Sequence, residues 1–97
     1  MKIKRRPTHP GEALREEFLP SLGISNTDFA KRLGVSRQTV YELLAERRGV
    51  SADMAHRLAK FFGTSPEMWM GLQEDVDLWE ALKENRRAYE EIDPVTV

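Results

Sequence analysis

The stretch "GVSRQTVYELL", residues 34 to 44, decides the fold. Gly34 offers a turn and Ser36 a helix cap, and Arg37, Gln38 and Thr39 then lead a short helix with Val40, Leu43 and Leu44 facing inward. A second short helix precedes it. Ser25 or Asn26 caps that one, Asp28 complements its dipole, and Phe29, Ala30 and Leu33 form its inner face. Gly34 ends it in the left-handed conformation that glycine adopts cheaply. Two short helices joined by a tight glycine turn form a helix-turn-helix, whose second helix enters the DNA major groove. The spacing supports this reading: small Ala30 where the helices approach, Gly34 at the turn, and Val40 and Leu43 as anchors of the second helix.

Outward from this unit, helix signals recur along the chain and no stretch alternates long enough for a sheet, so the fold class is all-α with five helices. Pro10 suits a first helical position, and Ala13, Leu14, Phe18 and Leu19 form the stripe of a helix that closes near Pro20 and Gly23. Ser51 caps a fourth helix with Met54, Ala55, Leu58, Ala59 and Phe62 inward, and Gly63 stops it. Ser65, Pro66 and Glu67 start a long fifth helix along which Trp69, Leu72, Val76, Trp79 and Leu82 recur. Gly71 inside it predicts a small break or a close packing contact. After Arg87 the stripe is lost. The expected organisation is a basic arm over 1–8, one domain over 9–87 that includes a C-terminal dimerisation helix over 66–87, and a tail over 88–97.

The formal net charge of −1 hides an asymmetry. Residues 1 to 50 hold ten Lys and Arg against six Asp and Glu, whereas residues 51 to 97 hold five against ten. A basic half followed by an acidic half suggests two different partners. The absence of cysteine excludes disulfides, thiolate zinc sites and thiol catalysis. No apolar run reaches the ~18 residues of a membrane span, and "MKIKRRPTHPGE" lacks the apolar segment of a signal peptide, so a cytoplasmic location is expected. His9 and His56 have no carboxylate at ligand spacing, and Glu16/Glu17 and Glu90/Glu91 are adjacent helix residues that diverge into solvent. Without a phosphate loop, a nucleophile frame or a metal cluster, the expectation is a non-enzyme with no cofactor and no metal.

Candidate roles follow from position. Arg37, suited to guanine, and Gln38, suited to adenine, start the recognition helix and are the prime base readers; Tyr41 and Glu42 lie one turn on. Glu42 is read either as accepting from cytosine or as holding Arg37 or Arg47. Thr27, Ser36 and Thr39 near helix N-termini, with Arg47 and Arg48 after the recognition helix, are candidate phosphate contacts. Lys2, Lys4, Arg5 and Arg6 are candidate arm contacts, either to phosphates or the minor groove or to a protein partner. The stripe of the last helix can be monomer core, the commoner fate of aromatics at helical spacing, but a domain of ~65 residues is closed by the first part of that helix, so Val76, Leu78, Trp79 and Leu82 are assigned by preference to a dimer surface. Two recognition helices would then sit ~34 Å apart on a palindromic double-stranded operator.

The segments "THPGEALREEFL", "SNTDFAKRLGVSRQTVYELL", "RRGVSADMAHRLAKFFGTSPEMWMGLQ" and "VDLWE" resemble the HigA-type, or VapI-type, antitoxins. "HPGE" and "MAHRLAKFFGTSPEMWMGLQ" are more specific to that family than the helix-turn-helix itself. The resemblance implies a five-helix domain similar to the lambda repressor. It also implies a homodimeric repressor of its own operon, held at the nucleoid when on its operator, that neutralises a HigB-type mRNA-cleaving toxin. One point departs from the family. Many relatives end the third helix on Asn-Gly, whereas this chain has Ala45 and Glu46, so the helix is expected to run on to Arg48 with Gly49 as its cap. Two other readings stand beside this one: a solitary regulator without a toxin, and a protein-binding adaptor that keeps the helix-turn-helix for stability.

Overall fold

In the computed structural model, which describes residues 5–96, a side chain caps the start of each of five helices. These are α1 (Pro10–Ala13), α2 (Asn26–Leu33), α3 (Arg37–Leu44), α4 (Ala52–Phe62) and α5 (Pro66–Glu90). Ser25, Ser36, Ser51 and Ser65 each accept, through Oγ, the backbone N–H three residues on, at 3.0 to 3.1 Å. Each bond satisfies one amide that has no partner within its helix. The cap of α1 is His9, whose Nδ1 accepts the Gly11 N–H at 2.9 Å, with Pro10 following as the first helical residue. At Leu14 the chain widens into a π-helical turn over Leu14–Phe18, closed by the Leu19 N–H on the Leu14 carbonyl at 2.9 Å.

The apolar stripes meet in one core, in which Leu14, Phe29, Val40, Leu43, Leu58 and Trp69 are fully buried. A wedge of rings from Phe18, Phe29, Phe61, Phe62 and Trp69, with centroids 4.8 to 5.9 Å apart, joins the end of the π-helical turn to α2, α4 and α5. Edge-on and tilted ring pairs of this kind add to the stabilisation from burial alone. The Trp69 indole N–H donates to the Thr64 hydroxyl at 2.8 Å, so the buried ring leaves no unpaired donor. Gly11 brings α1 against the C-terminal end of α3, where a Cβ would overlap the Leu43 carbonyl.

Four expectations change. Helix α3 stops at Leu44, short of Arg48, because Glu46 takes a left-handed φ of 62°. The Arg47 N–H then reaches the Glu42 carbonyl at 2.8 Å and the Glu46 N–H the Leu43 carbonyl at 3.0 Å, the bonds of a Schellman end with a glutamate in the usual glycine place. Ion pairs from Arg6 at 2.7 Å and Arg15 at 3.2 Å hold that glutamate, and Arg6 foremost keeps its carboxyl below the usual carboxylate range. Gly71 marks neither a break nor a close contact, since nothing lies within 4 Å of a Cβ placed there. The helical geometry instead fails at Asn85 (φ −125°, ψ 20°), and α5 continues to Glu90 rather than ending near Arg87. Val76, assigned to the dimer surface, is only 1% exposed and belongs to the interior of the chain.

His9 makes stability depend on pH. Burial pushes its imidazole below the ordinary range, and protonation of Nδ1 would remove the acceptor that caps α1. Because the unfolded chain takes the proton more readily, this contribution is complete above the ordinary imidazole pKa of ~6.5 and is lost as pH falls below it. Urea unfolding of the wild type should therefore show stability falling as pH drops below about 6.5 toward about 5.5. His9→Asn, which keeps a capping acceptor but does not titrate, should flatten that slope; equal slopes would remove His9 as the cause.

Candidate nucleic-acid interface

The angle between α2 and α3 is set by a short hydrogen-bonded turn. Gly34 adopts φ 74° and ψ 34°, its N–H reaching the Lys31 carbonyl at 3.1 Å and that of Val35 the Ala30 carbonyl at 3.0 Å. Arg57 of α4 then donates through Nη1 to the carbonyls of Leu33, at 2.8 Å, and Gly34, at 3.3 Å, while its Nε pairs with Asp53 at 2.8 Å. One arginine thus ties the turn to α4. Val40 and Leu43 are buried beneath α3, which leaves its outer face to Arg37, Gln38 and Tyr41, all exposed, and to the half-buried Glu42.

Arg37 has no side-chain hydrogen bond or ion pair among the described residues and stands at the first position of α3. Gln38 is engaged: its Nε2 donates to Glu42 Oε2 at 2.8 Å, one helical turn on. The other oxygen, Glu42 Oε1, accepts from Arg48 Nε at 3.0 Å and Nη2 at 2.8 Å. These bonds, that from Gln38 first, hold the Glu42 carboxyl below its ordinary range. The hold expected on Arg37 or Arg47 is thus exerted on Arg48 and Gln38, because the left-handed Glu46 turns the loop after α3 back toward Glu42. Tyr41 is 55% exposed and lines a shallow cleft with Leu19, Ile24 and Leu44.

Among the candidate phosphate contacts, Thr27 is exposed in the first turn of α2. The Ser36 and Thr39 hydroxyls lie 2.9 Å apart and bond each other at the start of α3. Arg47 is exposed without a side-chain partner among the described residues, whereas Arg48 is committed to Glu42. The loop that carries both is tied to α5, where Gln73 Oε1 accepts the Val50 N–H at 2.8 Å.

The arm divides. Arg6 lies against the domain, paired with Glu46 at 2.7 Å and Glu80 of α5 at 3.3 Å, while Arg5 is exposed. Lys2 and Lys4 fall outside the described residues. Since Arg6 and its partners are partly exposed, such pairs are worth only about 0–1 kcal/mol each. On α5, Leu78 is 65% and Leu82 42% exposed, and Trp79 is half-buried with Lys83 Nζ 5.0 Å from its ring centroid. Among the described residues no group of His, Asp and Glu side chains could hold a metal ion, and no helix is long and apolar enough to cross a membrane.

Sequence reasoning missed three contributors: the His9 cap, the Arg57 tie across the turn and the Gln73 tie of the loop. Only the first left a signal, the "HPGE" run, in which His9 caps, Pro10 opens the helix and Gly11 allows the approach to Leu43.

A helix-turn-helix family profile matches residues 13–69. Antitoxin HigA-1 of Vibrio cholerae serotype O1 is 42% identical over 91 residues, spanning 93% of this chain and 81% of that protein. Among solved structures, the Pseudomonas aeruginosa antitoxin HigA with the higBA promoter is 46% identical, with a TM-score of 0.88 over 94% of this chain and 100% of that one. Antitoxin GraA in complex with its operator is 42% identical, with a TM-score of 0.89 over 100% of this chain and 99% of that one. With its caps, its glycine turn and the exposed face of α3, the chain belongs to the helix-turn-helix proteins and, within them, to the HigA-type antitoxin family.

Proposed function

We propose that the protein is the antitoxin of a HigBA-type module, a homodimer that binds a palindromic operator, represses its own transcription and neutralises a HigB-type mRNA-cleaving toxin. The observation that carries the DNA reading is Arg37, exposed at the first position of a helix whose opposite face is locked into the core by Val40 and Leu43. An arginine so placed reaches O6 and N7 of guanine, and each good bidentate base contact is worth roughly 1–3 kcal/mol of discrimination. Arg47 on the following loop and Thr27 at the start of α2 supply phosphate contacts that set register without reading sequence.

Leu78, Trp79 and Leu82 on the outer half of α5 supply the dimer contact, with Val76 beneath them as monomer core. Dimerisation doubles a small set of contacts per subunit, so affinity depends moderately on salt. The acidic half of the chain offers surface to a basic toxin, in keeping with the opposite signs of the two halves. On this reading the protein works in the cytoplasm, at its operator on the nucleoid.

Replacing Arg37 and Gln38 together by Ala should leave the thermal unfolding transition in place and weaken binding to the DNA upstream of the gene by a hundredfold or more, on the order of 3 kcal/mol. Unchanged binding would sink the DNA reading. For the antitoxin role, the open reading frame beside this gene is expressed alone and together with it. Growth arrest by the neighbour alone, relieved by this protein, is expected; a harmless neighbour would favour a solitary regulator.

A further inference from the structure

The contact between Gln38 and Glu42 bears on which base the recognition helix accepts, and it rests on the DNA-binding role proposed above. We propose that Glu42 is a positioning residue that fixes the Gln38 amide in one orientation, so that Gln38 selects adenine and rejects guanine.

A glutamine amide has a donor end and an acceptor end of similar shape, and a free one turns to suit either kind of base. Beside Glu42 it loses that freedom. An ionised carboxylate only accepts hydrogen bonds, so it bonds the NH2 group of Gln38, at 2.8 Å, and a turned amide would set two oxygens against each other. One N–H and the carbonyl oxygen remain for the groove. Adenine offers the complement, an acceptor at N7 and a donor at N6, whereas guanine offers acceptors at both N7 and O6.

Arg48 completes the device. Its two bonds to Glu42 Oε1 help hold the carboxylate ionised and offset the negative charge that would otherwise face the DNA phosphates. The left-handed Glu46 returns the loop so that a residue six positions beyond Glu42 can reach it. In bulk water a single exposed bond holds an amide loosely. Once DNA displaces water from the groove, a turned amide would leave a desolvated carboxylate oxygen unpaired, and the orientation is enforced when it matters.

The test starts with duplexes selected by the wild-type protein from a randomised pool, followed by binding to every single-base-pair change of the selected site. Gln38→Ala identifies the pair that Gln38 reads. That pair should be A·T, and its replacement by G·C should cost the wild type at least tenfold in affinity. In Glu42→Gln, whose single amide oxygen is claimed by Arg48 so that its NH2 group faces Gln38 and favours the turned amide, the same replacement should cost less than threefold while the parent site is still bound. Arg48→Ala, which leaves the Gln38–Glu42 bond, should weaken all duplexes alike and keep the A·T preference. Full discrimination in Glu42→Gln, a G·C pair under Gln38, or loss of the preference in Arg48→Ala would each overturn the proposal. If no sequence is enriched at all, the DNA-binding reading falls and takes this inference with it.

Discussion

The left-handed turn at Gly34 sets the direction of α3, and the exposed face of the chain follows from it. A side chain here would carry the strain of a positive φ and would also press on Arg57, whose Nη1 lies 3.0 Å from where a Cβ would stand. Arg57 cannot retreat without leaving the Leu33 and Gly34 carbonyls that it serves. The turn is thus fixed from within by glycine and from outside by α4. Because the same α4 buries Met54, Ala55 and Leu58 in the core, the orientation of the recognition helix is coupled to the stability of the whole domain.

A second constraint sits at the other end of α3. Gly11 lets α1 press against the Leu43 carbonyl, Arg15 donates to the Leu44 carbonyl at 2.7 Å, and Glu46 turns the chain sharply away. These contacts hold the last turn of α3 while its first turn stays exposed. The ion pairs of Arg6 and Arg15 with Glu46 make a strained glutamate tolerable where glycine or asparagine is the common choice. Arg6 thereby joins the fold rather than standing ready as a loose arm.

Local chemistry was legible in the residues, and long-range packing was not. Caps at Ser36, Ser51 and Ser65 and the glycine turns could be read directly, and the cap of α2 narrowed to Ser25 or Asn26, because each signal lies within a few residues of its consequence. Gly71 misled because a glycine in a helix carries no mark of whether anything packs on it. Val76 misled for a related reason: periodicity says that a residue shares a stripe with Trp79, not where along the stripe the monomer core ends. Glu46 ran against the rule that β-turn and cap glycines announce themselves, since its conformation is held by arginines 40 and 31 residues away in sequence. In the candidate site, the exposed positions of Arg37, Gln38 and Tyr41 followed from helical phase, whereas the engagement of Gln38 and Arg48 by Glu42 depends on the path of a loop.

Hydroxyl-radical footprinting of the DNA upstream of the gene bears directly on the proposal that two copies of α3 read a symmetric DNA site. Two equivalent protected segments are expected, related by a twofold axis and centred about one helical turn, ~10 base pairs, apart. A single unsymmetrical segment, or no protection at concentrations where the protein is folded, would contradict it.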